Sequence, residues 1–207
     1  GYGAGALGDE STDNDNKITY YSPRFSGFQL GASYIPDLTD RGQTVTRSDA
    51  AAGGSAGDIF QLGLNYEGKF DQFGLAAAAT GEWGDADTSA VEDLAAWNVG
   101  AMVTFSGFSL AASYGDWDDS LAANNTDADY WTLGGAYDFG PFGASITYLN
   151  SEHGNNDFDN LSVGADYKLA EGLTPYAEIS FYEQDPGSPL IADNDGTVFI
   201  IGSQLAF

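Results

Sequence analysis

A strict alternation of apolar with small or polar side chains recurs along nearly the whole chain, and it limits the possible folds more than any other feature. Trp97, Val99, Ala101, Val103 and Phe105 alternate with Asn98, Gly100, Met102 and Thr104. Leu161, Val163, Ala165, Tyr167 and Leu169 alternate with Ser162, Gly164, Asp166 and Lys168. Extended backbone sends successive side chains to opposite sides, so each such segment is a strand with one apolar face and one small or polar face. Eleven segments qualify: 16–22, 27–36, 58–67, 73–83, 94–105, 108–117, 129–138, 142–150, 160–169, 174–184 and 196–207. Most run to about 10 residues, longer than the usual soluble strand and matched to a tilted strand that crosses a bilayer.

The connections alternate as well. Pro23–Ser26, Gly68–Gln72, Ser106–Gly107, Phe139–Pro141 and Ala170–Leu173 are short. Residues 8–15, 37–57, 84–93, 118–128, 151–159 and 185–195 are long, polar and acidic. Short turns at one end and long loops at the other describe an up-and-down meander of hairpins, the pattern of outer-membrane barrels. The predicted fold is therefore all-β, an antiparallel up-and-down transmembrane β-barrel with about eleven strands in this chain. An internal repeat supports a hairpin unit: Gly27-Phe28-Gln29-Leu30-Gly31-Ala32-Ser33-Tyr34 matches Gly107-Phe108-Ser109-Leu110-Ala111-Ala112-Ser113-Tyr114.

Charge and aromatic residues sort with the same frame. The 207 residues carry 6 Lys+Arg against 31 Asp+Glu, a formal net charge of −25. That balance excludes nucleic-acid binding, which needs cations on phosphates. With no Cys and the single His153, thiol catalysis, disulfide scaffolds and zinc fingers are excluded. No paired base and nucleophile stand out, so the chain reads as a non-enzyme. The long segments and their junctions hold 24 of the 31 carboxylates. Within the expected span only Glu82, Asp166 and Glu178 remain, and the last two fall on the polar face, as the cost of a lipid-facing charge demands. Phe25, Phe28, Phe70, Phe73, Phe105, Phe108, Phe139 and Phe142 gather near the short turns. Trp83, Trp97, Trp117 and Trp131 gather toward the long loops. Two aromatic belts one strand apart are what two membrane–water interfaces select.

The polar face (Thr19, Tyr21, Asn98, Thr104, Ser113, Ser162 and their like, with many Gly) is too small to plug an interior, which reads as a hydrated wall. Phe207, with Leu205, Ser203, Ile201 and Phe199 on one face, resembles the C-terminal signal for outer-membrane barrel assembly.

A more specific resemblance lies near the start of the chain. Asn16-Lys17-Ile18-Thr19-Tyr20-Tyr21-Ser22-Pro23-Arg24-Phe25-Ser26-Gly27-Phe28, then Ala32-Ser33-Tyr34, resembles the motif of Gram-negative general-diffusion porins of the trimeric proteobacterial type. The resemblance implies that segment 16–22 is the sixth strand, and 196–207 the last, of about sixteen. Eleven strands cannot close antiparallel, so the chain reads as the C-terminal portion of one longer barrel domain; the alternative is that Gly1–Leu7 adds a twelfth strand and closes a small barrel. Residues 1–15, with Asp9, Glu10, Asp13 and Asp15, would be the tail of an inward-folded constriction loop. The resemblance also implies passive diffusion of small hydrophilic solutes through the bacterial outer membrane and a homotrimer in contact with lipid and lipopolysaccharide, while the excess of carboxylates in the long segments predicts a weak cation preference. Lys17, Thr19, Tyr21, Asn98, Asp166 and Glu178 are the expected pore-lining residues, and Arg24 the expected rim charge.

Two other readings stand beside it. One is a structural or adhesive barrel whose acidic loops bind divalent cations or lipopolysaccharide, with Asp116, Asp118 and Asp119 as candidate Ca²⁺ ligands. The other is a soluble all-β module. Otherwise no cofactor is expected. The soluble reading requires Trp97, Val99, Leu161 and Val163 to sit in a dry core.

Overall fold

The computed structural model describes residues 16–37, 56–118, 120, 126–188 and 190–206. Eleven strands follow one another in the order of the chain: β1 Ile18–Tyr21, β2 Phe28–Asp37, β3 Ala56–Phe70, β4 Phe73–Ala86, β5 Leu94–Phe105, β6 Phe108–Trp117, β7 Ala128–Phe139, β8 Phe142–His153, β9 Asn156–Tyr167, β10 Leu173–Asp185 and β11 Asn194–Leu205. They form one 11-stranded sheet ordered β1 through β11, each strand beside its sequence neighbours. No helix in the described residues is long and apolar enough to cross a membrane.

By their contacts the chain falls into two compact units. The first takes in β1, β2, most of β3 and the long-loop ends of β4 to β7. Its register sets Thr19 opposite Ser33 and Tyr21 opposite Gly31. It continues with Gln29 opposite Asn65, Ser33 opposite Gln61 and Ile35 opposite Ile59. The second unit takes in the short-turn ends of β3 to β7 and all of β8 to β11. There Thr147 faces Ser162, Ser162 faces Ser180, and Ser180 faces Val198. In each unit the expected polar residues share one face, although Val198 and Ile200 of β11 also fall on it, opposite Ser180 and Glu178.

The apolar face is not a dry core. Trp97 is 45 % exposed, Val99 44 % and Val163 40 %, while Leu161 is half-buried. That outcome removes the soluble reading. The buried apolar residues among those described are few, and Ile35, Ala56, Ile59 and Leu94 cluster in the first unit. Ile35 and Ile59 share the face of Ser33 and Gln61, so the polar face turns apolar toward the long-loop end.

The hairpin repeat has a structural basis. Ser26 and Gly27 have φ of 48° and 91°, and Ser106 and Gly107 have 49° and 84°. Two successive positive-φ residues make the two-residue hairpin turn whose twist matches the strands, which explains the shared Phe-Ser-Gly-Phe. A Cβ on Gly107 would lie 2.6 Å from the Asp138 carbonyl oxygen. Gly107→Val is therefore expected to destabilise by about 1–3 kcal/mol, read as a lower denaturant midpoint in refolding from vesicles.

One connection departs from expectation. Residues 151–159 are not a long loop: β8 and β9 pair to their tips, with Ser151 opposite Phe158, Glu152 opposite Asp157 and His153 opposite Asn156. Gly154, with φ 59°, and Asn155 alone make the turn. A Gly-first two-residue loop is a strong hairpin signal, and here it overrides the polar, acidic composition. Strand β9 accordingly starts at Asn156 rather than residue 160 and ends at Tyr167.

Candidate channel wall

The polar face is built from short side chains that satisfy one another across strands. In the first unit the Thr19 and Ser33 hydroxyls share a hydrogen bond of 2.9 Å. The Gln61 amide donates to Glu82 at 3.0 Å, which places Glu82 on the same face. In the second unit Ser113 and Thr132 share one of 2.6 Å, and so do Ser162 and Ser180. Ser180 also donates to Glu178 at 3.2 Å. Hydroxyls paired along the sheet satisfy one another laterally rather than reaching away from it.

Glycine opposite a longer side chain has the same effect. Tyr21 lies over its partner Gly31. Tyr176 lies over Gly202, and Tyr182 over Gly196. The Asp166 carboxylate leans over Gly143, its partner on β8. Laying a ring or carboxylate over a glycine covers backbone that would otherwise be bare.

Of the expected wall residues, Thr19 and Tyr21 share the polar face of β1 with Ser33 and Gly31 opposite them. Lys17 precedes β1 and is exposed. Asn98 is half-buried in β5. Asp166 pairs with Tyr176 and Glu178 with Gly164, which makes the two carboxylates diagonal neighbours on β9 and β10. Asp9, Glu10, Asp13, Asp15 and the terminal Phe207 lie outside the described residues.

Arg24 was expected at a rim, and the structure gives it more to do. Its guanidinium donates to the Gly27 carbonyl at 2.6 Å, to Gln29 at 3.3 Å and to Asn65 at 2.6 Å. Gln29 and Asn65 are a polar-face pair, so Arg24 folds back from its turn onto the wall. Only the register could have revealed this, because Asn65 is 41 residues away.

At the aromatic belts the rings meet across strands. Phe28 and Tyr66 have centroids 4.6 Å apart, Phe73 and Phe105 4.5 Å, and Phe142 and Tyr167 4.7 Å. Toward the long loops, Trp131 and Tyr148 stand 5.0 Å apart. There the tyrosine hydroxyls of Tyr34 and Tyr148 donate to Asp58 and Asp159. Asp116 receives a hydrogen bond from Trp97 and lies among Asp118, Asp127 and Asp129, whose like charges repel its own. Asp119 is outside the described residues, and among those described no three carboxylates or imidazoles are placed so that together they could hold a metal ion.

Long antiparallel strands in one up-and-down sheet, apolar and exposed on one side and short and polar on the other, define a membrane-spanning β-sheet protein of the outer-membrane barrel class. The chain matches the model of the Gram-negative porin family over residues 1–187 and belongs to that family. Membership places it in the bacterial outer membrane. An uncharacterized protein of Rickettsia typhi is 30 % identical over 257 aligned positions, covering 96 % of this chain and 58 % of the relative. One from Rickettsia bellii is 31 % identical, covering 92 % and 56 %. The chain thus spans a little over half the length of these curated relatives. Among solved structures, a variant of the Rh. blastica porin is similar with 25 % identity and a TM-score of 0.57, over 98 % of this chain and 57 % of that one. The outer membrane channel DcaP of Acinetobacter baumannii shares the fold at 12 % identity and a TM-score of 0.64, over 96 % and 66 %.

Proposed function

We propose that the protein forms a water-filled channel for passive diffusion of small hydrophilic solutes, with a weak preference for cations, and that it works as a homotrimer. The observation that carries the reading is the polar face: on the described strands it is built largely of short hydroxyls, amides and glycines that bond laterally along the sheet. Such a wall offers water to a passing solute without holding it. Selectivity then comes from pore width and from the charge that the wall and its rims carry. Lys17, Thr19, Tyr21, Asn98, Asp166 and Glu178 are the residues proposed to meet the solute, with Arg24 added by its contacts to Gln29 and Asn65.

Liposome swelling tests the channel. Vesicles containing the refolded protein are expected to swell in isotonic sugar, faster for a pentose than for a disaccharide, while empty vesicles do not. Absence of swelling with protein inserted would overturn the channel reading. Sedimentation in detergent at matched density checks the trimer.

A further inference from the structure

We infer that the polar face of β10 and β11 carries a subsite for a small organic cation with an apolar body, of the alkylammonium or arylammonium class. The inference rests on the channel reading and names a solute class for it. Its origin is a break in the wall. Val198 and Ile200 stand on the polar face, directly opposite Ser180 and Glu178, and are 44 % and 41 % exposed. Lateral hydrogen bonds account for the hydroxyls of this face, but two aliphatic side chains turned to water gain nothing there. Exposed apolar surface grouped on a concave wall is the usual mark of a ligand contact. Two rings extend the patch. Tyr176 lies over Gly202 and Tyr182 over Gly196, the β11 positions on either side of Ile200 and Val198 along that face. Both rings lean from β10 onto β11 and close the ends of an apolar stripe. From Gly196 to Gly202 it runs about 20 Å along the strand.

Charge beside the stripe decides what occupies it. The Cβ atoms of directly opposite residues stand about 5 Å apart, so Glu178 leaves the sheet beside Ile200. Its other partner is Gly164, and the open side of that glycine is met by Ser145 rather than by Glu178. The Ser180 hydroxyl donates to Oε1 of Glu178 at 3.2 Å. A carboxylate offers about four acceptor positions, so Glu178 can hold that bond and receive an ammonium as well. Asp166 leans the other way, over Gly143; it adds negative field rather than a contact. Lys168 lines the next stretch of the face with Thr174 and Gln204, toward the short turn and beyond the stripe. An ammonium at Glu178 gains a charge-assisted hydrogen bond, and the ring of Tyr176 favours the same sign of charge. Its apolar body then covers Ile200 and Val198. A bare cation leaves the stripe wet, a neutral apolar solute leaves Glu178 unanswered, and an anion meets two carboxylates.

The test is block of potassium current through single channels in planar bilayers at about 0.1 M potassium chloride, where the field of the wall is weakly screened. The probe is benzylammonium. Concentration-dependent block is expected, with half-block in the millimolar range. Ammonium, benzyl alcohol and benzoate, each lacking the body, the charge or its sign, are expected to block at least about tenfold more weakly. Two variants divide the contribution. Glu178→Gln removes the anchor, and Val198→Thr with Ile200→Thr keeps the β-branched shape while making the stripe polar. Each is expected to raise the half-blocking concentration about tenfold. Unchanged potassium conductance verifies that each variant still inserts and opens, and Ile200→Thr alone serves if the double variant does not. A conducting protein that benzylammonium does not block, or block that either variant leaves unchanged, overturns the subsite while the channel stands. A folded, inserted protein that carries no potassium current overturns the channel reading and the subsite with it.

Discussion

An arginine at Val163 is expected to destabilise the folded protein in vesicles by about 2–4 kcal/mol, whereas an arginine at the adjacent Ser162 is expected to cost about 1 kcal/mol or less. Val163 lies near the middle of β9 on the apolar face, between Ile146 and Ile179 on the neighbouring strands. A guanidinium there must either enter hydrocarbon or drag water and headgroups inward. Ser162 is one residue away on the opposite face, between Thr147 and Ser180. Its replacement loses a hydroxyl pair but leaves the charge in water. Denaturant titration in vesicles, followed by tryptophan fluorescence, measures both. Equal costs at the two positions would mean that the faces do not meet different solvents, and the membrane reading would fail with them.

In planar bilayers under a potassium chloride gradient, the reversal potential is expected to show cation preference, several-fold at about 0.1 M salt and close to none at about 1 M. Carboxylates crowd the long-loop ends of the strands, with Asp116, Asp118, Asp127 and Asp129 gathered in one place. Their field reaches about 10 Å at the lower ionic strength and about 3 Å at the higher, so only narrow passages near a carboxylate stay selective in strong salt. Anion preference at low salt would contradict the placement of charge. A preference that does not shrink with salt would move its source from the rims to the wall carboxylates Asp166 and Glu178.

The fold was largely legible because the bilayer imposes a simple rule on strands. Lipid on one side and water on the other writes a period of two, and that period survives without any tertiary information. The strand around Val99 and the one around Val163 could be placed from alternation alone. What the period does not carry is the identity of lateral partners. Arg24 reaching Asn65, Tyr176 lying on Gly202 and Thr104 lying over Gly74 each depend on register between strands, which a single sequence does not state. The error at residues 151–159 had a different source. Acidity there marks a loop by composition, although Gly154-Asn155 offers a turn that lets the acidic residues pair as strand. Ile35 and Ile59 were a third kind of difficulty. Their phase is that of the polar wall, yet they are fully buried, because the surroundings change along a strand even when its alternation does not.

The two-residue turn at Gly154 has a consequence for how the protein meets its surroundings. Glu152, Asp157 and Asp159 are carried on a paired ribbon, with the Tyr148 hydroxyl fixed to Asp159 and Asn150 donating to it at 3.2 Å. Carboxylates held on a stiff post behave as stationary landmarks rather than as a diffuse cloud. An approaching ion or macromolecule meets them at the same spacing each time, so this corner of the surface can be recognised by shape as well as by sign.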